Sequence, residues 1–367
     1  MTRHVPFNDL KILTGKEKAA LSEAWMCVVD SGRFVLSTEV RRFERAFAEF
    51  CNVEFCVGVG NGSDGLVLAL QAAGVEPGDS VGTVANAGFY STAAILACGA
   101  QPLFMDIDAD GFLPLEDSIE HIIRHGARAV VVTHLYGRML PVHRWAESCR
   151  QAGVFLIEDC SQAHGARSGG SPAGSVGDLG VFSFYPTKNL GALGDGGAIV
   201  GRDPELESRL RRLRQYGWDE KYHVTEPGGR NSRLDELQAA LLSIRLPLLE
   251  ARNRRRRQIA AHYLERIDNS HIQCLPRGGE DDVVHLFAVR STRRDELRAH
   301  LAAYGIGTDI HYPVPDHCQP VLSGRCRPGT LPHTEALATS VLSLPCHPGL
   351  SDENVDHVIS ACLQFRP

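Results

Sequence analysis

Acidic and basic side chains follow two short apolar runs near the middle of the chain. Glu158 and Asp159 come directly after the run 154–157. An acid at the carboxyl end of a buried parallel strand lies beside the crevice where ligands bind. Lys188 follows a second apolar run, 181–184, and precedes a loop rich in glycine. A loop lysine is ordinarily a solvated surface cation, but the strand-end acid and the glycines together favour a cofactor site.

The segment after residue 60 has the character of an anion site. Residues 55–60 predict a short strand, and Asn61, Gly62 and Ser63 open a predicted helix that stops at Gly74. Free N–H groups and the dipole at a helix start favour a phosphate, and glycine allows close approach of the backbone. Asn61 or Ser63 serves equally well as an ordinary N-cap. Ser63 stands where a dinucleotide-binding motif requires its third glycine, so that type of site is disfavoured.

The stretch 156–200 resembles the DegT/DnrJ/EryC1/StrS family of sugar aminotransferases, pyridoxal-phosphate enzymes of the aspartate-aminotransferase fold. The family pattern F-S-F-x-x-x-K-N is present from Phe182 to Asn189, and E-D-x-x-Q-A-x-G from Glu158 to Gly165. The resemblance implies that Lys188 is the Schiff-base lysine and that Asp159 binds the pyridine nitrogen. A carboxylate there stabilises the pyridinium, which lets the cofactor draw electrons from the substrate carbon.

The same resemblance assigns further cofactor contacts. It places Gln162 near the phenolic oxygen of the ring and Ser183, Gly62 and Ser63 at the phosphate. Phe89 matches the aromatic residue that stacks on the ring, although a single Phe in a loop more often packs in a core or lid.

Two later segments complete the predicted site. In the relatives, the loop that carries Asn231 crosses a two-fold axis to the partner's cofactor phosphate, which implies an obligate homodimer with shared active sites. Locally the same segment is typical of a helix cap beside a surface charge. His311 and Tyr312 match the family's H-Y-P loop beside the sugar and are the substrate candidates, with ordinary packing as the alternative.

Periodic apolar residues predict the elements that hold these side chains. Helices are predicted at 16–30 and 38–51, and the alternation of strands and helices that follows is typical of a parallel sheet. The fold class is therefore α/β, with a mostly parallel central sheet and a smaller C-terminal α/β domain. We expect a large cofactor-binding domain at 15–250 and a small domain at 251–367, with residues 1–14 packing on the latter or across the dimer.

Composition limits the possible functions. A net charge of −6 predicts no nucleic-acid partner, and the basic run 252–257 fits a solvated helix face. The eleven cysteines include no C-x-x-C pair, and neither a secretory leader nor a membrane-spanning run is evident, which together favour the cytoplasm. The sixteen histidines show no metal-ligand spacing, so no metal is expected.

The resemblance and these residues leave three functions to weigh, and the resemblance implies the substrates of the first. The first is a pyridoxal-phosphate aminotransferase that moves the amino group of L-glutamate to carbon 3 of a dTDP-linked 3-keto-6-deoxyhexose. Carbon-4 amination of a UDP-linked sugar and amination of a cyclitol ketone are its alternatives. The second is a sugar dehydratase of the same fold, in which a histidine replaces the lysine, so Lys188 argues against it. The third is a non-catalytic cofactor-binding sensor, which need not keep Lys188, Asp159 and Gln162 together.

Overall fold

The computed structural model of the chain describes residues 3–11, 14–109, 113–115, 117–275, 279–324 and 330–367. The helices in these residues are α1 Gly15–Ser31, α2 Thr38–Cys51, α3 Gly62–Ala72, α4 Tyr90–Ala97, α5 Ser118–Arg124, α6 Val142–Ala152, α7 Pro204–Leu213, α8 Glu236–Arg245, α9 Leu249–Arg266, α10 Arg294–Ala303, α11 Pro332–Ser340 and α12 Asp352–Gln364. The strands are β1 Phe55–Val59, β2 Ser80–Val84, β3 Gln101–Met105, β4 Ala129–Thr133, β5 Phe155–Asp159, β6 Arg167–Ser168, β7 Ser171–Pro172, β8 Leu179–Ser183, β9 Gly197–Gly201, β10 Trp218–Glu220, β11 His223–Val224, β12 Gln273–Cys274, β13 Phe287–Arg290 and β14 Val341–Leu344.

A seven-stranded sheet in the order β1-β9-β8-β5-β4-β2-β3 forms the centre of the molecule. Strands β8, β5, β4, β2 and β3 are parallel neighbours, whereas β9 runs antiparallel to both β8 and β1. The predicted α/β class with a mostly parallel central sheet is therefore confirmed. The parallel strands end at one edge of the sheet, and the register pairs Thr133 with Asp159 there.

Both faces of this sheet are buried, which explains the continuous apolar runs of its strands. Successive residues point to opposite faces: Val131 and Ile157 pack into the core that contains α3, whereas their neighbours Val130 and Leu156 pack with α5 and α6. Phe182 on β8 joins a further cluster built largely from the aromatic stripe of α2. The strands therefore have little freedom to shift register, because a one-residue slip would exchange the two faces.

Local sequence sets the ends of the helices near the site. The Asn61 side chain accepts a hydrogen bond from the backbone N–H of Asp64 at 2.8 Å and caps α3. Pro247 lies in the short turn that separates α8 from α9, as expected for a residue that lacks the N–H a helix interior needs.

A three-stranded antiparallel sheet, β12-β13-β14, forms a second centre. Its core is built from α9, α10, α12 and these strands, together with Val5 from the N-terminal segment, which bridges to Ile306. Helix α9 contributes Leu249 to the core of the large sheet and Ile259 to that of the small one. We propose that the boundary between the large and the small domain lies near residue 250.

The basic run on α9 differs from the sequence expectation. Residues 252–257 were expected to form a solvated face, but Arg256 is only 5% exposed and Asn253 is fully buried. The prediction was wrong for Arg256 because the C-terminal segments cover that side of the helix, where its guanidinium contacts the carbonyl of Cys346. No helix in the described ranges is long and apolar enough to cross a bilayer.

Candidate active site

A cavity of about 610 Å³ opens at the edge where the parallel strands end. Thr133, Asp159 and Ser183 line it from the last positions of β4, β5 and β8, and Lys188 lines it from the loop after β8. Sheet topology thus brings together residues that lie far apart in the sequence, at the position where open α/β sheets bind ligands. We call this space the main cavity.

Lys188 is held on a tight turn after β8. Its backbone N–H donates to the carbonyl of Tyr185 at 2.8 Å. Burial lowers the pKa of the Lys188 amine from 10.5 to about 8, and the nearby Asp159 carboxylate opposes that shift. Because an amine with this pKa is partly neutral near physiological pH, Lys188 can act as a nucleophile and as a proton acceptor.

Asp159 presents a buried carboxylate at the end of β5. The side chain is 3% exposed. Its Oδ1 accepts the backbone N–H of Ser161 at 3.1 Å, and Thr133 Oγ1 lies 3.5 Å from its Oδ2. These contacts fix the carboxylate but leave it acceptor capacity for a cation in the main cavity.

The start of α3 forms an anion site. The N–H groups of Gly62 and Ser63 have no hydrogen-bond acceptor within the described residues, and such groups at a helix start favour a phosphate. Ser183 lies against Gly62 so closely that a Cβ at position 62 would come within 2.7 Å of the Ser183 Cβ. Only glycine fits this approach of the helix to β8.

These features fit pyridoxal phosphate by their chemistry. A lysine amine, a buried carboxylate and a glycine-lined helix start all face one cavity. They match the aldehyde, the ring nitrogen and the phosphate of that cofactor, respectively.

Gln162 joins two parts of the site. Its Oε1 accepts the backbone N–H of Tyr136 at 2.7 Å, and its Nε2 donates to the Tyr312 hydroxyl at 3.1 Å. The Tyr136 hydroxyl in turn donates to the carbonyl of His311 at 2.5 Å. Both His311 and Tyr312 line the main cavity, so the structure brings the predicted substrate residues to the predicted cofactor residues.

Two predicted cofactor contacts lie outside this lining. Phe89 precedes α4 with a φ of 71°, and its backbone N–H donates to Asp316 rather than opening onto the main cavity. Asn231 is exposed and bridges to Gln215. Within the single chain, neither side chain meets Lys188, and their roles stay predictions.

Several lining residues were absent from the sequence-based set. Tyr90, His285 and Asp309 all line the main cavity. Burial and then the positive charge of Lys188 hold the pKa of His285 well below its usual range, so this histidine stays neutral. Its Nδ1 lies 3.0 Å from Asn189 Oδ1. Asp309 could have been suspected from its place two residues before His311, whereas no motif surrounds His285.

Two groups in the described part of the chain bring three potential metal ligands within 4.8 Å of one another. One is His134, Glu158 and Cys160. Glu158 is already used there, because it accepts from the His134 ring at 2.8 Å and from the backbone N–H of Gly177 at 2.7 Å. The other comprises His317, Cys318 and Glu335. The expectation that the protein needs no metal stays a prediction.

Comparisons with known proteins identify aminotransferases, in agreement with the geometry of the site. The model of the DegT/DnrJ/EryC1/StrS aminotransferase family matches residues 16–363. The dTDP-3-amino-3,4,6-trideoxy-alpha-D-glucose transaminase of Streptomyces venezuelae is 44% identical, over 99% of this chain and 97% of its own. The dTDP-3-amino-3,6-dideoxy-alpha-D-galactopyranose transaminase of Aneurinibacillus thermoaerophilus is 42% identical, over 98% and 99%. The crystal structure of S. venezuelae DesV in complex with a ketimine intermediate superposes with a TM-score of 0.94 at 43% identity, covering 99% of this chain and 98% of that one.

Proposed function

Because the chain belongs to the DegT/DnrJ/EryC1/StrS aminotransferase family and is a sugar aminotransferase dependent on pyridoxal phosphate, its substrates can be proposed. We propose that it transfers the amino group of L-glutamate to carbon 3 of a dTDP-linked 3-keto-6-deoxyhexose. Two relatives above 40% identity carry names that place the new nitrogen on carbon 3 of a dTDP sugar. The observation that carries the chemistry is that the Lys188 amine and the Asp159 carboxylate line one cavity.

The residues of the main cavity hold the cofactor in defined places. The N–H groups of Gly62 and Ser63 and the hydroxyl of Ser183 bind its phosphate, and Asp159 pairs with its ring nitrogen. When bound, pyridoxal phosphate supplies an electron sink for the carbon that exchanges a proton. The Asp159 carboxylate keeps that ring nitrogen charged, because an opposite charge favours the protonated form.

Lys188 has two tasks in this proposal. It holds the cofactor covalently through its Nζ. Once the amino donor has displaced it, the freed Lys188 amine would take the proton from the α-carbon of the donor and would return it to the C4′ carbon of the cofactor. A pKa near 8 suits both directions, because a base is most effective when its pKa lies near the working pH.

The sugar side of the site is formed by the segment that carries His311 and Tyr312. Gln162 ties the Tyr312 hydroxyl to the cofactor side of the main cavity. His311 Nδ1 lies 2.9 Å from Ser343 Oγ on β14, so its ring is fixed by the small sheet. We propose that both residues contact the keto-sugar, and that Phe89 and Gln162 contact the cofactor ring.

A homodimer with shared sites belongs to the same proposal. Large apolar side chains are exposed on the described surface, among them Trp25 at 47%, Phe34 at 50% and Leu193 at 52%. A second copy of the chain would cover such a surface. In that dimer, Asn231 reaches the cofactor phosphate of the partner subunit.

Product analysis tests the substrate directly. The purified protein is incubated with pyridoxal phosphate, L-glutamate and each candidate keto-sugar, and the product is examined by NMR. We expect nitrogen on carbon 3 of the dTDP sugar. Nitrogen on carbon 4, or acceptance of UDP sugars or cyclitol ketones alone, would contradict the carbon-3 assignment. An absence of turnover with every acceptor would favour a cofactor-binding sensor.

A further inference from the structure

The lining of the main cavity contains no arginine, and Lys188 is its only lysine, as far as the described residues extend. Its acids are Asp159, Asp195 and Asp309. The proposed amino donor carries two carboxylates, and a guanidinium binds a carboxylate well through two parallel hydrogen bonds.

Three arginines line a second cavity on the other side of the Lys188 loop. This arginine cavity, of about 430 Å³, is bounded by Arg245, Arg252 and Arg256 and shares Thr187 and Lys188 with the main cavity. A smaller cavity of about 230 Å³ shares lining residues with both spaces. Its lining includes Arg256 and Thr187 from the arginine cavity, and His285, His311 and Asp309 from the main cavity.

Two of the three arginines are already paired with one shared carboxylate. The Glu17 carboxylate pairs with Arg245 Nε at 3.1 Å and with Arg252 Nη2 at 2.6 Å. Asp9 also lines the arginine cavity, and its Oδ1 accepts the backbone N–H of Lys11. Arg256, in contrast, forms no ion pair with a carboxylate among the residues that the structure describes.

The guanidinium of Arg256 has one edge occupied and one edge free. Its Nη1 donates to the carbonyls of Val284 at 3.4 Å, His285 at 3.1 Å and Cys346 at 2.5 Å. Its Nε is buried without a hydrogen-bond partner, and within the described ranges Nη2 has none either. The Nε and Nη2 groups form the flat edge that binds a carboxylate through two parallel hydrogen bonds.

We propose that Arg256 is the residue that binds a carboxylate of the amino-acid donor, with the arginine cavity and the small cavity between it and the main cavity as the donor subsite. A buried guanidinium without an anion is unfavourable, and a bound carboxylate removes that cost. The three carbonyl contacts fix the plane of the guanidinium before the donor arrives. The inference rests on the proposed function, because it takes an amino acid as the donor.

The test compares Arg256→Lys with the native protein and with Arg257→Lys. Arg257 lies next to Arg256 on α9 and pairs with the exposed Glu250, which makes it a matched control. Lysine keeps the charge but not the two-pronged edge. We expect the KM for L-glutamate to rise about tenfold or more in Arg256→Lys, with the KM for the keto-sugar changed less than twofold and Arg257→Lys behaving as native.

A binding measurement gives a readout without turnover. Titration calorimetry of each purified variant with glutarate, a dicarboxylate that lacks the amine, should show binding to the native protein that weakens about tenfold in Arg256→Lys. Equal glutarate affinity in both proteins, or a rise in the keto-sugar KM without a rise in the donor KM, would overturn the inference. Glutarate binding without turnover by the native protein would contradict the proposed function and leave the donor subsite standing.

A series of donors identifies which carboxylate is bound. If Arg256 binds the side-chain carboxylate, Arg256→Lys loses a preference for L-glutamate over L-glutamine and L-alanine. If it binds the α-carboxylate, the KM values of all three donors rise alike. Should Arg256→Lys fail to fold, a crystal structure of the native protein with glutarate decides the question: a carboxylate within hydrogen-bond distance of Arg256 supports the inference, and glutarate bound elsewhere refutes it.

Discussion

The carboxylate of Asp316 accepts a hydrogen bond from the backbone N–H of Phe89 at 2.9 Å and another from Thr92 Oγ1 at 2.6 Å. Burial raises the pKa of Asp316 from 3.8 to about 7, while these two hydrogen bonds oppose the rise. The segment after His311 and Tyr312 is thereby joined to the start of α4. The contact orients the backbone of the residue proposed to stack on the cofactor ring.

Asp316 should make stability depend on pH in a defined window. Its folded pKa is raised, so the folded state binds the proton more tightly, and stability falls as the pH rises from about 4 to about 7. The shift of roughly three units corresponds to at most about 4 kcal/mol. We expect Asp316→Asn to lose this dependence, as measured by urea unfolding at pH 5 and pH 8. An identical pH dependence in native and variant proteins would contradict the assignment.

Replacement of Lys188 by alanine should abolish transfer. The variant lacks the amine that holds the cofactor and carries the proton, so we expect turnover to fall by roughly 10²–10⁴-fold or more. The cofactor should still bind, but its absorption should lack the band of the lysine-linked form. The exposed Lys18 offers the control Lys18→Ala. Full activity in Lys188→Ala would remove this residue from the chemistry.

Replacement of Asp159 by asparagine should slow proton removal while keeping the covalent link to Lys188. Asparagine still accepts the backbone N–H of Ser161, but the ring nitrogen loses its charge partner. The Asp159 carboxylate also raises the pKa of Lys188, so the variant should show a Lys188 pKa below about 8. A pH titration of the cofactor-free protein, in which Lys188 is a free amine, measures that shift, with the exposed Asp295→Asn as control. An unchanged rate and an unchanged titration would exclude Asp159 from the site.

Replacement of Gly62 by alanine should weaken cofactor binding. The added Cβ would lie 2.7 Å from the Ser183 Cβ, so the start of α3 must move away from β8. We expect the Kd for pyridoxal phosphate, measured by fluorescence titration, to rise about tenfold. Gly15→Ala is the matched control, because it also lies at a helix start and its added Cβ meets nothing within 4 Å. If Gly62→Ala and Gly15→Ala bound pyridoxal phosphate with equal affinity, its phosphate would not lie at the start of α3.

Mixed dimers test the role of Asn231 across the subunits. Asn231→Ala alone should weaken retention of the cofactor phosphate. A mixed dimer contains one Asn231→Ala chain and one Lys188→Ala chain. One of its two sites then has the intact Lys188 of the first chain and the intact Asn231 of the second. Such dimers, purified with two affinity tags, should recover activity at one of their two sites. Intact mixed dimers without recovery would show that Asn231 does not act in trans.

The sequence by itself determined several of the main elements and their order. Apolar periodicity predicted α1 and α2 to within a residue or two, because one buried face imposes the helical repeat. The parallel sheet followed from the alternation of strands and helices. Placing Asp159 at a strand end was possible because a buried strand is a continuous apolar run, and the carboxyl end of a parallel strand is where ligands bind.

Only the tertiary structure decided which side chains share a cavity. His285 and Arg256 carry no motif, and their environments depend on segments far away in the sequence, such as the carbonyl of Cys346. Gln162 was assigned to the cofactor by resemblance, whereas its hydrogen bonds join the loop after β4, at Tyr136, to the segment after α10, at Tyr312. Burial and hydrogen bonding between segments far apart in the sequence are properties of the folded chain. Local patterns specify which face of an element is apolar but not which segment covers that face.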